Sequence, residues 1–212
     1  MDNKQRAREM LAEFKADKYV YGLDCFDRFG RQVAALGKRA SVITSGVGKP
    51  WGPPLHDQTR RTLVAAGVEP AGEPIPGARP NAPVEDVLRL ADALREQNPD
   101  VVVAVGGGSV IDAAKAAAAY HVLGDRHGEL NDYFGVGRVS AMLKEEQRSM
   151  LPMAAAQLAA GSAAHLTKYS NVTDLGTAQK MLIVDEAVVP PRALFDYGKT
   201  TTMSRDFTMD GA

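Results

Sequence analysis

The sequence has a single cysteine, Cys25, so no intrachain disulfide can form, and the chain points to a reducing, cytoplasmic compartment. It has no apolar run near the ~18 residues that a membrane-spanning helix needs. Its first residues, Met1-Asp-Asn-Lys-Gln-Arg6, lead into a charged amphipathic segment rather than the apolar core of a signal peptide. It has almost no net charge, −1 over 212 residues, which removes the electrostatic reason to expect nucleic acid or an anionic membrane as partner. Its four histidines, His56, His121, His127 and His165, show no i,i+4 pairing and no cysteine or carboxylate cluster at metal-ligand spacing. Neither a G-x-S-x-G turn nor a Ser-His-Asp arrangement supports a hydrolase. What the chain does have is apolar residues, 45% of the total, enough for a real core and against disorder.

The most informative stretch runs from Val101 to Lys115. Val101-Val-Val-Ala-Val105 reads as a buried strand, and the Ala-rich sequence from Val110 to His121 reads as a helix. Between them lie Gly106, Gly107, Gly108 and Ser109. A strand that opens through glycines directly into a helix is how α/β proteins build a phosphate-binding turn. Glycine lets a ligand approach the backbone, and the helix N-terminus offers unpaired N–H groups and partial positive charge. Ser109 is the expected N-cap, with Asp112 three residues on as its capping-box partner. The spacing is not the full G-x-G-x-x-G, and the turn sits on a late strand, so the standard dinucleotide fingerprint is not met.

Around this turn, strands and helices alternate. A helix is expected over 2–15, with Ala7, Met10, Leu11 and Phe14 at helical spacing. A short strand follows at 18–23, then a helix at 26–36 with Phe29, Val33 and Leu36 on one face, and a strand at 40–44. A helix from about Pro54 to Ala66 is stopped by Gly67. The proline-rich stretch 70–83 reads as loop with one short strand. Val84, Val87, Leu88, Ala91 and Leu94 mark an amphipathic helix ending near Pro99. This alternation predicts an α/β fold, a Rossmann-like parallel sheet flanked by helices. Further on, 124–138 is glycine-rich and irregular, and 150–160 is apolar and Ala-rich. Segments 167–174 and 180–185 can pair as extended chain, and 192–195 reads as another strand.

Ser45-Gly-Val-Gly-Lys49 follows an earlier strand, where such folds meet the adenosine ribose. An acidic residue there would bind the ribose hydroxyls and repel a 2′-phosphate. Ser45 is neutral and Lys49 is near, so the sequence leans toward tolerating NADP as well as NAD.

Val105-Gly-Gly-Gly-Ser-Val-Ile-Asp-Ala-Ala-Lys115 resembles the G-G-G-S-x-x-D-x-x-K signature of the iron-containing alcohol dehydrogenases, a superfamily that includes glycerol dehydrogenases and dehydroquinate synthases. Ala160 to Asp174 resembles that family's A-G-T-G-S-E-x-T…T-D segment, with Lys180 where a lysine usually follows. Val189-Pro190, Ala193 and Phe195-Asp196 resemble its L-x-P…A-x-x-D run, and Met209-Asp-Gly-Ala212 the start of D-A-L-x-H. The resemblance covers 18–212. It implies an NAD(P)-dependent, metal-dependent alcohol dehydrogenase acting on a small alcohol or aldehyde, and a homo-oligomer. Gly106, Gly107, Gly108 and Ser109 would hold the pyrophosphate, Ser45 would lie near the adenosine ribose, and Ser162 with Thr167 near the nicotinamide. Asp210 would be the first ligand of Fe²⁺ or Zn²⁺. The chain departs from the pattern at Gly161-Ser-Ala-Ala-His165, where the family has G-T-G-S-E, so the motif glutamate is replaced by His165. By this resemblance, 1–200 form the dinucleotide-binding domain, with 1–17 its N-terminal helix, and 201–212 begin a helical metal-binding domain whose later ligands this chain lacks. The expectation is an N-terminal portion inactive alone; the alternatives are a stand-alone nucleotide-binding module or a sister activity of the superfamily.

Overall fold

The computed structural model describes residues 2–201 and 203–210, without the side chains of residues 207, 208 and 210. Its elements in chain order are α1 (Asn3–Lys15), β1 (Tyr19–Gly22), α2 (Phe29–Ala34), β2 (Arg39–Thr44), α3 (Gly52–Ala65), β3 (Glu69–Pro70), β4 (Ile75–Pro76), α4 (Val84–Gln97) and β5 (Val101–Gly106). There follow α5 (Gly108–Leu123), β6 (Gly135–Val136), α6 (Arg138–Glu145), β7 (Met153–Gln157), β8 (Tyr169–Asp174), β9 (Gln179–Val184), β10 (Arg192–Asp196) and α7 (Arg205–Asp210). No described helix is long and apolar enough to cross a membrane.

Seven strands form one parallel sheet in the order β1-β10-β7-β5-β2-β3, with β4 paired to the end of β2 beyond β3. Its central strand β5 is buried along its whole length. Val101, Val103 and Val105 pack toward α2 and α3, and Val102 and Ala104 toward α4 and α5, which is why the sequence shows a continuous apolar run rather than alternation. The alternation-based reading of a helix-flanked parallel sheet is therefore correct. The proline-rich stretch supplies two dipeptide strands, not one. Both lie on the edge of β2, where a residue without an N–H is tolerated.

The apolar, Ala-rich segment 150–160 contributes β7, inserted between β5 and β10. Alanine favours helix in isolation, but Ala154 and Ala156 face one buried layer and Ala155 the other, and tertiary burial decides the conformation. The pairing expected for 167–174 and 180–185 is found as the antiparallel hairpin β8–β9, joined by β6 into a second, three-stranded sheet. Helix α6 corresponds to no sequence expectation. Its buried face is only Val139, Met142 and Leu143, too short a stripe to stand out.

Helix α5 is buried on nearly every side, from Val110 through Ala119 and again at Leu123. It lies between the main sheet, α4 and the β8–β9 hairpin. A helix with no polar face needs such a position, and its run of alanines lets all three neighbours approach closely.

The N-terminal helix is present as expected but none of its residues is buried. Met10 is 62% exposed and Phe14 59%. Two substitutions separate the roles of these helices. Ala117→Leu, at a fully buried position, should destabilise the fold by about 1–3 kcal/mol through overpacking. Phe14→Ser should stay within about 0.5 kcal/mol of the parent. Urea denaturation of the two variants measures both.

Candidate functional site

The chain leaves β2 toward β3 and β4 on one side and leaves β5 toward β7 on the other, so the strand order reverses between β2 and β5. In open α/β sheets the crevice at such a reversal, beyond the carboxyl ends of the strands, is where ligands bind. Here it is a cleft of about 620 Å³ whose walls include Ser45 after β2, Gly107, Gly108 and Ser109 after β5, Gln157 at the end of β7 and Ser162 beyond it.

The three glycines do not share one reason to be glycine. A Cβ on Gly106 would stand 2.6 Å from Val110 Cβ and 2.7 Å from Ser45 Oγ, and one on Gly108 would stand 2.7 Å from Ser162 Oγ. Those two are fixed by the close packing of loops around the turn. A Cβ on Gly107 would meet only Ala159 Cβ at 3.7 Å. Its backbone is extended (φ −77°, ψ −177°), so any residue fits, and a side chain there would project into the cleft.

Gly107, not Ser109, is the N-cap of α5. This corrects the capping expectation, and the reason is geometric. Val110 and Ile111 N–H both donate to the Gly107 carbonyl (3.1 and 3.2 Å), so the helix starts at Gly108 and its cap lies two residues before Ser109. The Ser109 Oγ is instead engaged from outside, accepting from Asn81 N–H at 3.0 Å. Asp112 is likewise not a capping partner. Its carboxylate receives Asn171 Nδ2 at 3.3 Å and lies 4.0 Å from the Lys115 ammonium. Burial raises its pKa, against the pull of Lys115. The N–H groups of Gly108 and Ser109 precede the first intrahelical bonds, so they stand as donors at the cleft beside the positive end of α5.

Lys115 is fully buried and donates to the Thr167 and Tyr169 carbonyls, each at 2.7 Å. Together with Ser170 Oγ, which donates to the Asp112 carbonyl at 2.8 Å, it pins the hairpin and the loop before it to α5. Burial pushes the Lys115 pKa down to about 8. Ser162 and Asp112 line both the main cleft and an adjoining cavity of about 180 Å³ that Thr167 borders. Ser45, the glycine turn, Ser109 and Ser162 are thus brought together, and Thr167 stands one cavity away.

The model of the iron-containing alcohol dehydrogenases matches residues 16–197. The chain belongs to that family. Among its relatives, the NAD-dependent methanol dehydrogenase of Bacillus methanolicus is 28% identical over 181 residues, 84% of this chain and 43% of that protein. The NADPH-dependent butanol dehydrogenase of Clostridium saccharobutylicum is 30% identical over 174 residues, 81% of this chain and 42% of that protein. Of solved structures, a 1,3-propanediol oxidoreductase superposes with a TM-score of 0.77 at 24% identity, covering 92% of this chain and 48% of its own. That likeness establishes the fold. The chain spans a little under half the length of these relatives.

The family implies a dinucleotide and a metal, and the residues present fit them unequally. The cleft fits a dinucleotide, since its donors at Gly108, Ser109 and Ser162 surround space that a side chain on Gly107 would enter. For the metal, no three His, Cys, Asp or Glu side chains converge among the described residues. The expected ligand Asp210 is in α7, and its side chain lies outside the described residues.

Sequence reasoning missed Gln157, Asn81 and Asn171 at the cleft. Gln157 was findable as the one polar residue closing the apolar strand Met153–Ala156, and Asn81 as part of a Pro-Asn turn signal.

His165, at the position where the family pattern has glutamate, is buried against Tyr19 and Phe195, with ring centroids at 5.4 and 5.7 Å. Burial, reinforced by Lys115 and Lys15, pushes its pKa down from 6.5 to about 4. Between those values the unfolded chain binds a proton that the folded chain refuses, so this contribution to stability is complete above pH 6.5 and is lost as pH falls toward 4. Urea melts at pH 7 and pH 5 should therefore show a loss in the parent that His165→Phe reduces; an equal loss in the variant would contradict this origin.

Proposed function

We propose that the cleft between the β2 and β5 loops binds NAD(P), and that the chain serves as the dinucleotide-binding portion of an enzyme oxidising a small alcohol to its aldehyde or ketone. The observation that carries this reading is the placement of the free N–H donors of Gly108 and Ser109 at the strand-order reversal, with open space over Gly107. A diphosphate is the ligand such donors suit, because it carries several anionic oxygens and needs no acceptor from the protein. Gly106 and Gly108 keep the turn tight, Ser162 adds a hydroxyl, and Ser45 lies at the end suited to the adenosine ribose. Thr167, in the adjoining cavity, falls toward the nicotinamide side. When bound, the cofactor supplies hydride transfer at its nicotinamide.

Asp210 as a first ligand of Fe²⁺ or Zn²⁺, and residues 201–212 as the start of a helical metal-binding domain, rest on the sequence resemblance, to which the helical conformation of α7 adds support. Self-association into a homo-oligomer is supported by the exposed Met10 and Phe14 on α1. Light scattering reads it.

Calorimetric titration of the chain with NAD, NADP and ADP-ribose tests the binding reading. Gly107→Ala should weaken binding of all three by about tenfold or more while leaving the melting temperature unchanged, since its methyl enters the cleft and strains nothing. A loss of stability without loss of binding would count against it.

The choice between the two cofactors turns on Ser45. A neutral hydroxyl there, with Lys49 exposed four residues on, tolerates a 2′-phosphate. Ser45→Asp should weaken NADP binding by about tenfold relative to NAD, because a carboxylate repels the phosphate and accepts from ribose hydroxyls. Equal effects on both cofactors would place the ribose elsewhere.

A further inference from the structure

Gln157 is the last residue of β7 and pairs with Gly106, so the side chain stands on the α5 face beside the glycine turn. It is 1% exposed. Its Nε2 donates to the Ala159 carbonyl at 2.7 Å and to Ser162 Oγ at 3.1 Å, while its Oε1 has no partner. The amide orientation follows from those neighbours. Turned over, it would set Oε1 against the Ala159 carbonyl, two acceptors in contact. An unmet buried acceptor is unfavourable, so the side chain is held in place by its two N–H bonds.

One of those bonds decides what Ser162 can do. A serine hydroxyl has two lone pairs and one proton. Ser162 Oγ accepts from Gln157 and, at 3.4 Å, from Ala164 N–H, which engages both lone pairs. Its proton is left to point away from both partners. Ser162 is exposed, lines the cleft, and sits 2.7 Å from where a Gly108 Cβ would be, at the start of α5.

We propose that Gln157 is a positioning residue that fixes the Ser162 hydroxyl as a hydrogen-bond donor, so that this wall of the cleft receives an anionic oxygen of a dinucleotide's diphosphate and rejects a group that itself donates. The proposal rests on the dinucleotide reading above. Around that hydroxyl the N–H groups of Gly108 and Ser109 and the exposed Lys180 ammonium also donate, while the Asp112 carboxylate on the same cleft is met by Asn171 and Lys115. The proposal explains why an amide, and not a carboxylate of the same size, closes β7. Glutamate at this position would turn the serine proton inward onto itself and set a negative charge beside the diphosphate.

A double-mutant cycle on the full chain tests this, with calorimetric affinity for ADP-ribose as the readout. Gln157→Leu and Ser162→Ala should each weaken binding about tenfold, the worth of a hydrogen bond to a charged group. The double variant should bind no more weakly than Ser162→Ala alone, since Gln157 acts only through that hydroxyl. Gln157→Glu should bind more weakly than Gln157→Leu. Thermal melting checks that each variant is folded, and Gln157→Met replaces Gln157→Leu in the cycle if the latter is not. Independent losses, multiplying to about a hundredfold in the double variant, would overturn the proposal and leave Gln157 a purely structural residue. Failure of the parent chain to bind ADP-ribose at all would overturn the dinucleotide reading itself, and the proposal with it.

Discussion

The burial of α5 on almost every side is the constraint from which the rest follows. A helix enclosed by the main sheet, α4 and the β8–β9 hairpin must be narrow, and Ala113, Ala114 and Ala116 to Ala119 make it so. Such a helix cannot hide its own polar residues at a solvent face. Asp112 and Lys115 are therefore answered by the hairpin and the loop before it, through Asn171, Ser170 and the Thr167 and Tyr169 carbonyls. The same close packing brings the loop after β7 against the helix start, which is why Gly108 has no room for a Cβ beside Ser162. Packing and site are one arrangement seen from two ends of a helix.

Because α5 is fixed, its N-terminus is a fixed source of positive potential. The cleft it faces is bordered by donors, and its ionisable lining groups are the Lys180 ammonium and the Asp112 carboxylate. Lys115 is held in a buried position where its ammonium is disfavoured, with a pKa pushed down to about 8, yet its two carbonyl acceptors are satisfied at 2.7 Å. A group desolvated at such cost is retained where its bonds hold something in place. What it holds is the start of the hairpin and the loop before it, which carries Thr167 at the adjoining cavity.

Most of the fold was legible because its signals are local. The run Val101–Val105, the glycine turn, and the periodic apolar positions of α4 each sit within a short window. The reading failed where the deciding interaction was distant. Met153–Gln157 is a strand because neighbours on both sides of the sheet bury it, and nothing in an alanine run announces that. The cap of α5 was misplaced for a similar reason: Ser109 looks like an N-cap in sequence, but Asn81, 28 residues away, takes up its hydroxyl. The glycines were readable as a tight strand-to-helix turn. Their separate duties were not, since those depend on Val110, Ser45 and Ser162 in space.

His165 shows how a departure from a family pattern can be understood through its surroundings. The pattern places glutamate here, and the two lysines that add to burial in depressing the histidine's pKa, Lys115 and Lys15, would favour an ionised carboxylate. Histidine in this setting stays neutral, so the lysines lose a counter-charge and the local balance becomes more positive. The aromatic neighbours Tyr19 and Phe195 accept the exchange, because a neutral imidazole packs against rings at 5.4 and 5.7 Å as a carboxylate does not. The substitution therefore trades a negative charge near Lys115 and Lys15 for a neutral ring packed among aromatic side chains.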